Sequence, residues 1–261
     1  MKKRHFHFSN IARKYAVLRT TDIAPIQFIN DRLSHLDGTG RIFAADIGCG
    51  AGRYDIQLYS HIGERLFLTC IDENEYMLHA LIENFQLNKI ENYRVVNAKA
   101  EILPLADASL NCVFSFNAIH HFELELFLNE VSRILKKNGY IFIYTRSRSQ
   151  NKRNIWGRYF PKFYEKEKRL YEVNELREAI KKRSDLQLDS IEFFKYRRVS
   201  DFQRLLTQVA NHHYSTFYLA YKGEEFEDAL EEFKKNIFSH FENLERITWY
   251  DENLMLVIRK L

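Results

Sequence analysis

The chain has 261 residues, of which 46% are hydrophobic and 28% charged. This apolar content can form the core of one large α/β domain or two small ones, and it excludes a mainly disordered chain. The formal net charge of +4 indicates no class of partner by itself. No apolar run approaches the roughly 20 residues that span a bilayer, and the basic N-terminus lacks the apolar segment of a signal peptide.

The three cysteines lie inside apolar or glycine-rich runs and share no C-x-x-C spacing. This placement predicts reduced, mostly buried thiols and a cytoplasmic protein. The same spacing, together with that of the histidines, predicts no zinc site.

The first part of the chain alternates strand-like runs with helical spacing. The predicted strands are 41–47, 65–71, 92–97, 110–116 and 139–145. The segments between them have the apolar spacing of helices, and Gly139 after Lys136 and Lys137 is typical of a helix end. Strands joined by helices predict a parallel sheet covered on both faces.

The regular alternation of strand-like and helical segments ends after residue 146. The spacing predicts a helix over 171–184, a strand over 186–199, a helical insert over 200–245 and a final strand over 253–260. We expect a single domain, since no repeat or linker divides the chain. Its predicted parts are an N-terminal helical lid (1–40), a cofactor-binding core (41–146), a basic helix with strand six (147–199), the insert (200–245) and the last strand (246–261).

A glycine loop, D-x-G-x-G-x-G, follows the first predicted strand. Glycine permits positive φ and lets backbone N–H groups approach a ligand, and the next helix directs its positive end to the same place. No Lys-Ser or Lys-Thr follows, which excludes a P-loop. Arg53 stands where a dinucleotide fingerprint needs its third glycine. The loop therefore suits a carboxylate ligand without pyrophosphate, and Asp46 is placed to meet an amine.

An acidic residue, Asp72, ends the second predicted strand 20 residues beyond Gly52. One interpretation is an ordinary cap for the following helix. The other, which the glycine loop favours, is an acceptor for both hydroxyls of a ribose. A ligand that combines carboxylate, amine and ribose is S-adenosylmethionine.

Residues 42–145 resemble the class I S-adenosylmethionine-dependent methyltransferases, within the branch of the ubiquinone-biosynthesis and trans-aconitate enzymes. The matching segments are "ADIGCGAG", "IDENEYML", "AKAEILPLADASLNCVFSFNAIHHF" and "EVSRILKKNGYIFI". The resemblance implies an α/β fold: a doubly wound, mostly parallel, seven-stranded Rossmann-like sheet. Its last strand would be antiparallel, with strands six and seven at the sheet edge and the helical insert between them.

The resemblance also implies roles for individual residues. Asp46, Gly48 and Gly50 would hold the methionine moiety and Asp72 the ribose; Met77, Ala100 and Glu101 would border the adenine, and Asn117 would close the site. Lys99 departs from the family, which usually has aspartate there to bind the adenine amino group. Upstream, Tyr15 and Arg19 match the family's lid, where Arg19 would pair with the methionine carboxylate. The alternative for that segment is an amphipathic surface helix.

Two histidine pairs are candidates for the acceptor side. His120 and His121 follow strand four, where one of them can act as a general base; alternatively they only shape the loop. His213 and Tyr214 lie in the insert, where they either line an acceptor pocket or pack in a core.

A small-molecule acceptor is the leading interpretation, because the N/D-P-P-Y/F loop of amino-methylating nucleic-acid enzymes and the Cys-Pro of cytosine-C5 enzymes are absent. Residues 146–183 carry 13 Lys/Arg against 5 Asp/Glu. This excess is typical of a solvated helical face, but it also fits an RNA methyltransferase. A third possibility is a cofactor-binding protein of the same fold without catalysis, which Lys99 favours.

Overall fold

The computed structural model describes residues 20–34 and 40–261, which form two compact units. One unit comprises residues 20–145, 173–192 and 254–261, and the other comprises 146–172 and 193–253. The strands are β1 (Ile42–Ile47), β2 (Leu66–Asp72), β3 (Tyr93–Asn97), β4 (Leu110–Phe116), β5 (Leu135–Thr145), β6 (Leu186–Ser200) and β7 (Ile247–Lys260). The helices are α1 (Ala24–Ser34), α2 (Arg53–Ile62), α3 (Glu75–Leu87), α4 (Leu124–Ile134), α5 (Arg148–Arg153), α6 (Ile155–Tyr159), α7 (Phe163–Lys166), α8 (Val173–Lys181), α9 (Phe202–Ala210), α10 (Ser215–Ala220) and α11 (Glu224–His240).

The strands form one seven-stranded sheet in the order β3-β2-β1-β4-β5-β7-β6. β1 pairs in parallel with β2 on one side and β4 on the other. The pairs β2–β3 and β4–β5 are also parallel. β7 runs antiparallel to β5, with Tyr140 opposite Arg259. The predicted fold class, a mostly parallel Rossmann-like sheet with an antiparallel last strand, is confirmed.

The central strands are apolar because both faces of the sheet are covered. β1, β2 and β4 are buried along most of their length. Strands buried on two sides lose the alternation of apolar and polar residues. All carboxyl ends of these parallel strands reach the same edge of the sheet, and the loops after them carry most of the predicted site residues.

The predicted helix end at Gly139 is wrong. α4 ends at Ile134, and Lys136 and Lys137 already belong to β5. Asn138, not Gly139, has the left-handed backbone, with φ of 65°. Asparagine tolerates this conformation. The Lys-Lys-Asn-Gly segment is therefore an irregularity within a long strand, where the pairing of β4 with β5 also shifts register.

The other unit has a core made mainly of aromatic side chains from the short helices and the insert. Trp156, Phe160, Phe217 and Phe233 are each at most 2% exposed and lie in ring contact with one another. The predicted helical insert is present as α9, α10 and α11. Apolar residues at helical spacing supply one face of each helix to this core.

No helix within residues 20–34 and 40–261 has the length and apolar character needed to cross a membrane.

Candidate functional site

The glycine loop after β1 has a left-handed backbone at three positions. Gly48 has φ of 76°, and a Cβ there would lie 2.5 Å from Ala118 Cβ and 2.9 Å from the ring of Phe122. The loop after β4 therefore packs against Gly48 so closely that no side chain fits. Gly50 has φ of 55° and no atom within 4 Å of an added Cβ. Open space thus lies beside the backbone of Gly50, as a ligand-binding loop requires.

Asp72, the last residue of β2, fixes the loop from the neighbouring strand. Its Oδ2 accepts a hydrogen bond from the Gly50 N–H at 3.0 Å, and its Oδ1 accepts one from the Asn74 N–H at 2.9 Å. The N–H groups of Gly48 and Cys49 both donate to the Ile71 carbonyl, at 2.8 and 3.1 Å. Asp72 therefore ties the glycine loop to the residue that caps α3.

Two carboxyl groups lie buried beneath the loop. Asp46, near the end of β1, is 1% exposed, and Asp55, in the first turn of α2, is 0% exposed. Burial raises the pKa of Asp55 to about 7. Burial, followed by the charge of Asp55, raises the pKa of Asp46 well above its usual range. A buried pair of this kind binds a proton at pH values where exposed carboxyls are ionised.

The residues predicted to border the adenine differ in their surroundings. Met77 is 3% exposed in the first turn of α3, whose cap Asn74 accepts from the Met77 N–H at 3.2 Å. Ala100 is buried after β3, while Lys99 beside it is exposed. Glu101 Oε1 accepts from the Glu123 N–H at 2.9 Å. Glu101 thus satisfies a backbone amide at the start of α4.

The loop after β4 contains the predicted closing residue and the predicted bases. Asn117 has φ of 54°, and its N–H donates to the Tyr144 carbonyl at 2.7 Å. His120 and His121 lie in a single 3₁₀ turn, and their rings are 4.1 Å apart and partly buried. Ala118 brings this loop against Gly48. The two loops therefore form adjoining walls at the carboxyl edge of the sheet.

An aromatic and polar cluster near these loops was not predicted from the sequence. Tyr54 stacks on Phe116 with centroids 4.6 Å apart and an interplanar angle of 10°. The Arg53 guanidinium lies 4.5 Å from the Tyr54 ring centroid. The Tyr144 hydroxyl donates to Asp22 Oδ2 at 3.2 Å. The Tyr54–Phe116 and Tyr144–Asp22 contacts join residues far apart in the chain, so no local spacing indicates them.

The remaining predicted site residues fall in two places. Tyr15 and Arg19 lie outside the described residues. His213 and Tyr214 belong to the unit of residues 146–172 and 193–253. His213 is 6% exposed, with its ring 5.4 Å from Trp156. The Tyr214 hydroxyl accepts from Arg146 Nη1 at 3.1 Å.

Arg146 is the centre of a polar network in that unit. It donates to the Glu252 carbonyl at 3.1 Å and lies 3.4 Å from Asp251 Oδ1. Arg198 pairs with the same Asp251 at 3.1 Å. The unit also has a cavity of about 200 Å³. The cavity is lined by Arg153, Arg158, Tyr159, Lys195, His240, Phe241, Thr248, Trp249, Tyr250 and Glu252.

Within the described part of the chain, no group of three or more His, Cys, Asp or Glu side chains could hold a metal ion.

Comparison with known proteins gives a consistent result. Residues 45–143, less than half of the chain, match the family model described as a methyltransferase domain. The uncharacterized methyltransferase YodH of Bacillus subtilis is 32% identical over 95 residues. That match covers 36% of this chain and 39% of YodH, so the chain spans well under half of this relative.

Two solved structures share the fold over most of the chain. One, described as a methyltransferase of an antibiotic biosynthesis pathway from Anabaena variabilis, is 22% identical with a TM-score of 0.62; the match covers 92% of this chain and 98% of that one. The geranyl diphosphate C-methyltransferase of Streptomyces coelicolor is 13% identical with a TM-score of 0.55, over 91% of this chain and 76% of that one.

The matched segment contains the glycine loop, Asp72 and the loop after β4, which all lie at the carboxyl edge of the sheet. Residues 45–143 are thus similar to a methyltransferase domain, and the two solved structures share the fold in which this segment lies.

Proposed function

We propose that the protein transfers a methyl group from S-adenosylmethionine to a small-molecule acceptor by in-line displacement. The observation that carries this proposal is the position of Asp72. Its two oxygens join the glycine loop, which has open space beside Gly50, to the start of α3. This arrangement supports a ligand with a ribose next to an amino-acid moiety.

The chain's residues fit S-adenosylmethionine as follows. Asp72 accepts the ribose hydroxyls, and Gly48 and Gly50 let the methionine moiety approach the backbone. Met77 and Ala100, both buried, supply apolar walls for the adenine, beside Glu101. Asn117 borders the same loop edge.

When bound, the cofactor supplies a methyl group activated by its sulfonium. The chain's contribution is to bind, orient and exclude water. A hydroxyl or amine acceptor also needs to lose a proton. His120 or His121 would accept it, because both follow β4 in the loop that packs on Gly48. Tyr15 and Arg19 would cover the cofactor, and His213 and Tyr214 would bind the acceptor.

The basic segment 146–183 supports a small acceptor more than RNA. Seven of its thirteen cationic side chains donate hydrogen bonds or form ion pairs within their own unit: Arg146, Arg148, Arg153, Lys166, Arg169, Lys182 and Arg183. Cations paired in this way are less available to phosphates. The Streptomyces neighbour, whose name specifies geranyl diphosphate, is a small-molecule enzyme of the same fold.

Two finer assignments accompany this proposal. We place the chain in the ubiquinone-biosynthesis and trans-aconitate branch, on the resemblance of its motifs. We also place it in the cytoplasm, because its three cysteines are free and buried, as in proteins of reducing compartments.

The test is calorimetric titration with S-adenosylmethionine. We expect the wild type to bind in the micromolar range and Asp72→Ala to show no measurable binding. Asp31→Ala removes an exposed carboxylate from α1 in the same unit and should bind like the wild type. A wild type that does not bind contradicts the proposal.

Once binding is established, the acceptor class is tested by screening small hydroxyl, amine and thiol compounds beside total RNA. Methylation of small compounds supports the proposal. RNA methylation whose binding weakens steeply with salt would favour the RNA alternative. Cofactor binding with no acceptor in any class would favour the non-catalytic alternative.

A further inference from the structure

Asp46 and Asp55 are neighbouring carboxyl groups that are both almost fully buried, which is unfavourable for two ionised groups. Asp46 Oδ1 and both carboxyl oxygens of Asp55 are buried and accept no hydrogen bond within the described part of the chain. Asp55 lies within hydrogen-bonding contact of Asp46. An acidic residue in the first turn of a helix often reaches back to the free backbone amides, but Asp55 contacts another acid instead.

The groups that face this pair provide no compensating positive charge. They are the thiols of Cys49 and Cys70, the carboxylate of Asp72 and the phenol of Tyr59. Across residues 20–34 and 40–261, no Lys, Arg or His forms an ion pair with Asp46 or Asp55. Two adjacent negative charges in this environment would repel each other with little screening.

A single shared proton removes one of the two negative charges and pairs two of the three unpaired oxygens. A protonated carboxyl gains an O–H donor, which can bond to the ionised partner and satisfy otherwise unpaired oxygens. Shared protons of this kind occur where two carboxyl groups occupy one site.

We propose that Asp46 and Asp55 share one proton in the ligand-free protein. Asp55 is then a positioning residue, which orients the Asp46 carboxylate under the glycine loop. Binding of cationic S-adenosylmethionine releases the shared proton to solvent. The inference rests on the proposed function. The balance is simple: one O–H bond of the pair breaks, the proton goes to water or buffer, and both carboxylates become ionised. The ammonium and sulfonium of the ligand provide the opposing charge.

The shared proton is tested without cofactor, by a ¹³C NMR titration of the aspartate carboxyl groups. We expect one carboxyl signal to titrate near pH 7 in the wild type and this step to be absent in Asp55→Asn. Asp228→Asn, which changes an exposed acid on α11, should retain it. If all aspartates of the wild type titrate below about pH 5, as ordinary carboxyls do, the proposal is overturned.

Proton release is tested by titration calorimetry with S-adenosylmethionine at pH 7 in two buffers of different ionisation enthalpy. We expect the wild type to release about half a proton at pH 7, where the pair is half protonated, and its affinity to rise with pH, most steeply below pH 7, by up to about tenfold per unit. In Asp55→Asn, the amide donates permanently to Asp46, so binding should persist with no proton release. Asp55→Leu offers no donor and should bind at least about tenfold more weakly.

The outcomes separate the two claims. Equal losses of affinity in both Asp55 variants, with an unchanged pH profile, would show a merely structural residue and overturn the proposal. A wild type that binds no S-adenosylmethionine at any pH contradicts the proposed function and proton release with it. The NMR titration then still decides whether the pair shares a proton.

Discussion

The two units of the chain use different means to define their structure. In the unit of residues 20–145, 173–192 and 254–261, backbone geometry is decisive: glycines with positive φ and a carboxylate that accepts backbone N–H groups shape the loops. In the unit of residues 146–172 and 193–253, large aromatic side chains fill a core. A ligand site depends on a few fixed atoms, while a core depends on total volume and packing.

The largest expected effect tests the aromatic core. Phe233 is 0% exposed, and its ring centroid is 5.4 Å from those of Trp156 and Phe160. Phe233→Ala leaves a cavity and should lower the free energy of unfolding by about 3–5 kcal/mol, as measured by urea denaturation. Phe238, on the same helix, is 56% exposed, and Phe238→Ala should change it by less than about 0.5 kcal/mol. Equal effects would refute the assignment of a packed core.

A somewhat smaller effect tests the backbone-determined unit. Gly48→Ala combines positive φ with a Cβ 2.5 Å from Ala118 Cβ. We expect a loss of about 2–4 kcal/mol in unfolding free energy and much weaker cofactor binding. Gly63 has φ of 74° but no atom within 4 Å of an added Cβ. Gly63→Ala should show only the backbone strain, about 1–2 kcal/mol, and unchanged binding. Denaturation and calorimetry of both variants decide whether close approach matters at Gly48.

The buried acid pair gives the same unit an unusual pH dependence. Because the pKa of Asp55 is raised to about 7 in the folded protein, folding is favoured when this proton is bound. The contribution is fully present below the unfolded value near pH 4 and is lost as pH rises through 7. We expect stability to fall by on the order of 2 kcal/mol between pH 5 and pH 8 from this pair. In Asp55→Asn, urea denaturation across the same range should show a flatter profile.

The contribution of Asp185 to stability changes with pH in the opposite direction. Burial opposes its ionisation, but hydrogen bonds from Arg183, Ser132 and Lys260 lower its pKa overall. Its contribution is present above pH 4 and is lost as pH falls. Asp185→Asn should therefore be less stable than the wild type at pH 7, and the difference in unfolding free energy should narrow as the pH falls below 4. A wild type whose stability does not decrease relative to this variant on acidification would refute the assignment.

The smallest expected effect concerns Lys99, where the chain departs from the methyltransferases it resembles. Lys99 is exposed next to buried Ala100. Lys99→Asp should tighten S-adenosylmethionine binding by about 1 kcal/mol, the value of one hydrogen bond to the adenine amino group. Lys99→Ala removes the positive charge without adding a carboxylate, so the difference between the two variants gives the effect of the carboxylate alone. Calorimetric affinities that are equal for the two variants would indicate that the adenine does not contact this position.

Sequence patterns predicted the sheet well because parallel strands buried on two faces are continuous apolar runs. β1 to β4 begin and end within one residue of their predicted bounds. β5 begins earlier than predicted, because Asn138 rather than Gly139 takes the left-handed conformation. Propensity alone favours glycine for that role, and the tertiary pairing of β4 with β5 determined the outcome.

The site was predictable where one short segment carries the chemistry. The glycine loop and Asp72 are recognisable from spacing because each acts through its own backbone or strand end. The proximity of Asp55 to Asp46 was not predicted. Asp55 resembles an ordinary first-turn acid of an amphipathic helix, and only the folded chain brings it against a second carboxyl.

The hydrogen bond from Gly50 to Asp72 has a consequence for the rate of ligand association. The loop conformation is already fixed by the folded sheet, since β1 and β2 are paired up to the residues that precede the loop. The entropy of ordering this segment is therefore lost during folding and not during encounter with the ligand. A site of this kind is expected to capture its ligand without waiting for a slow rearrangement of the glycine loop, so that diffusion and orientation limit association.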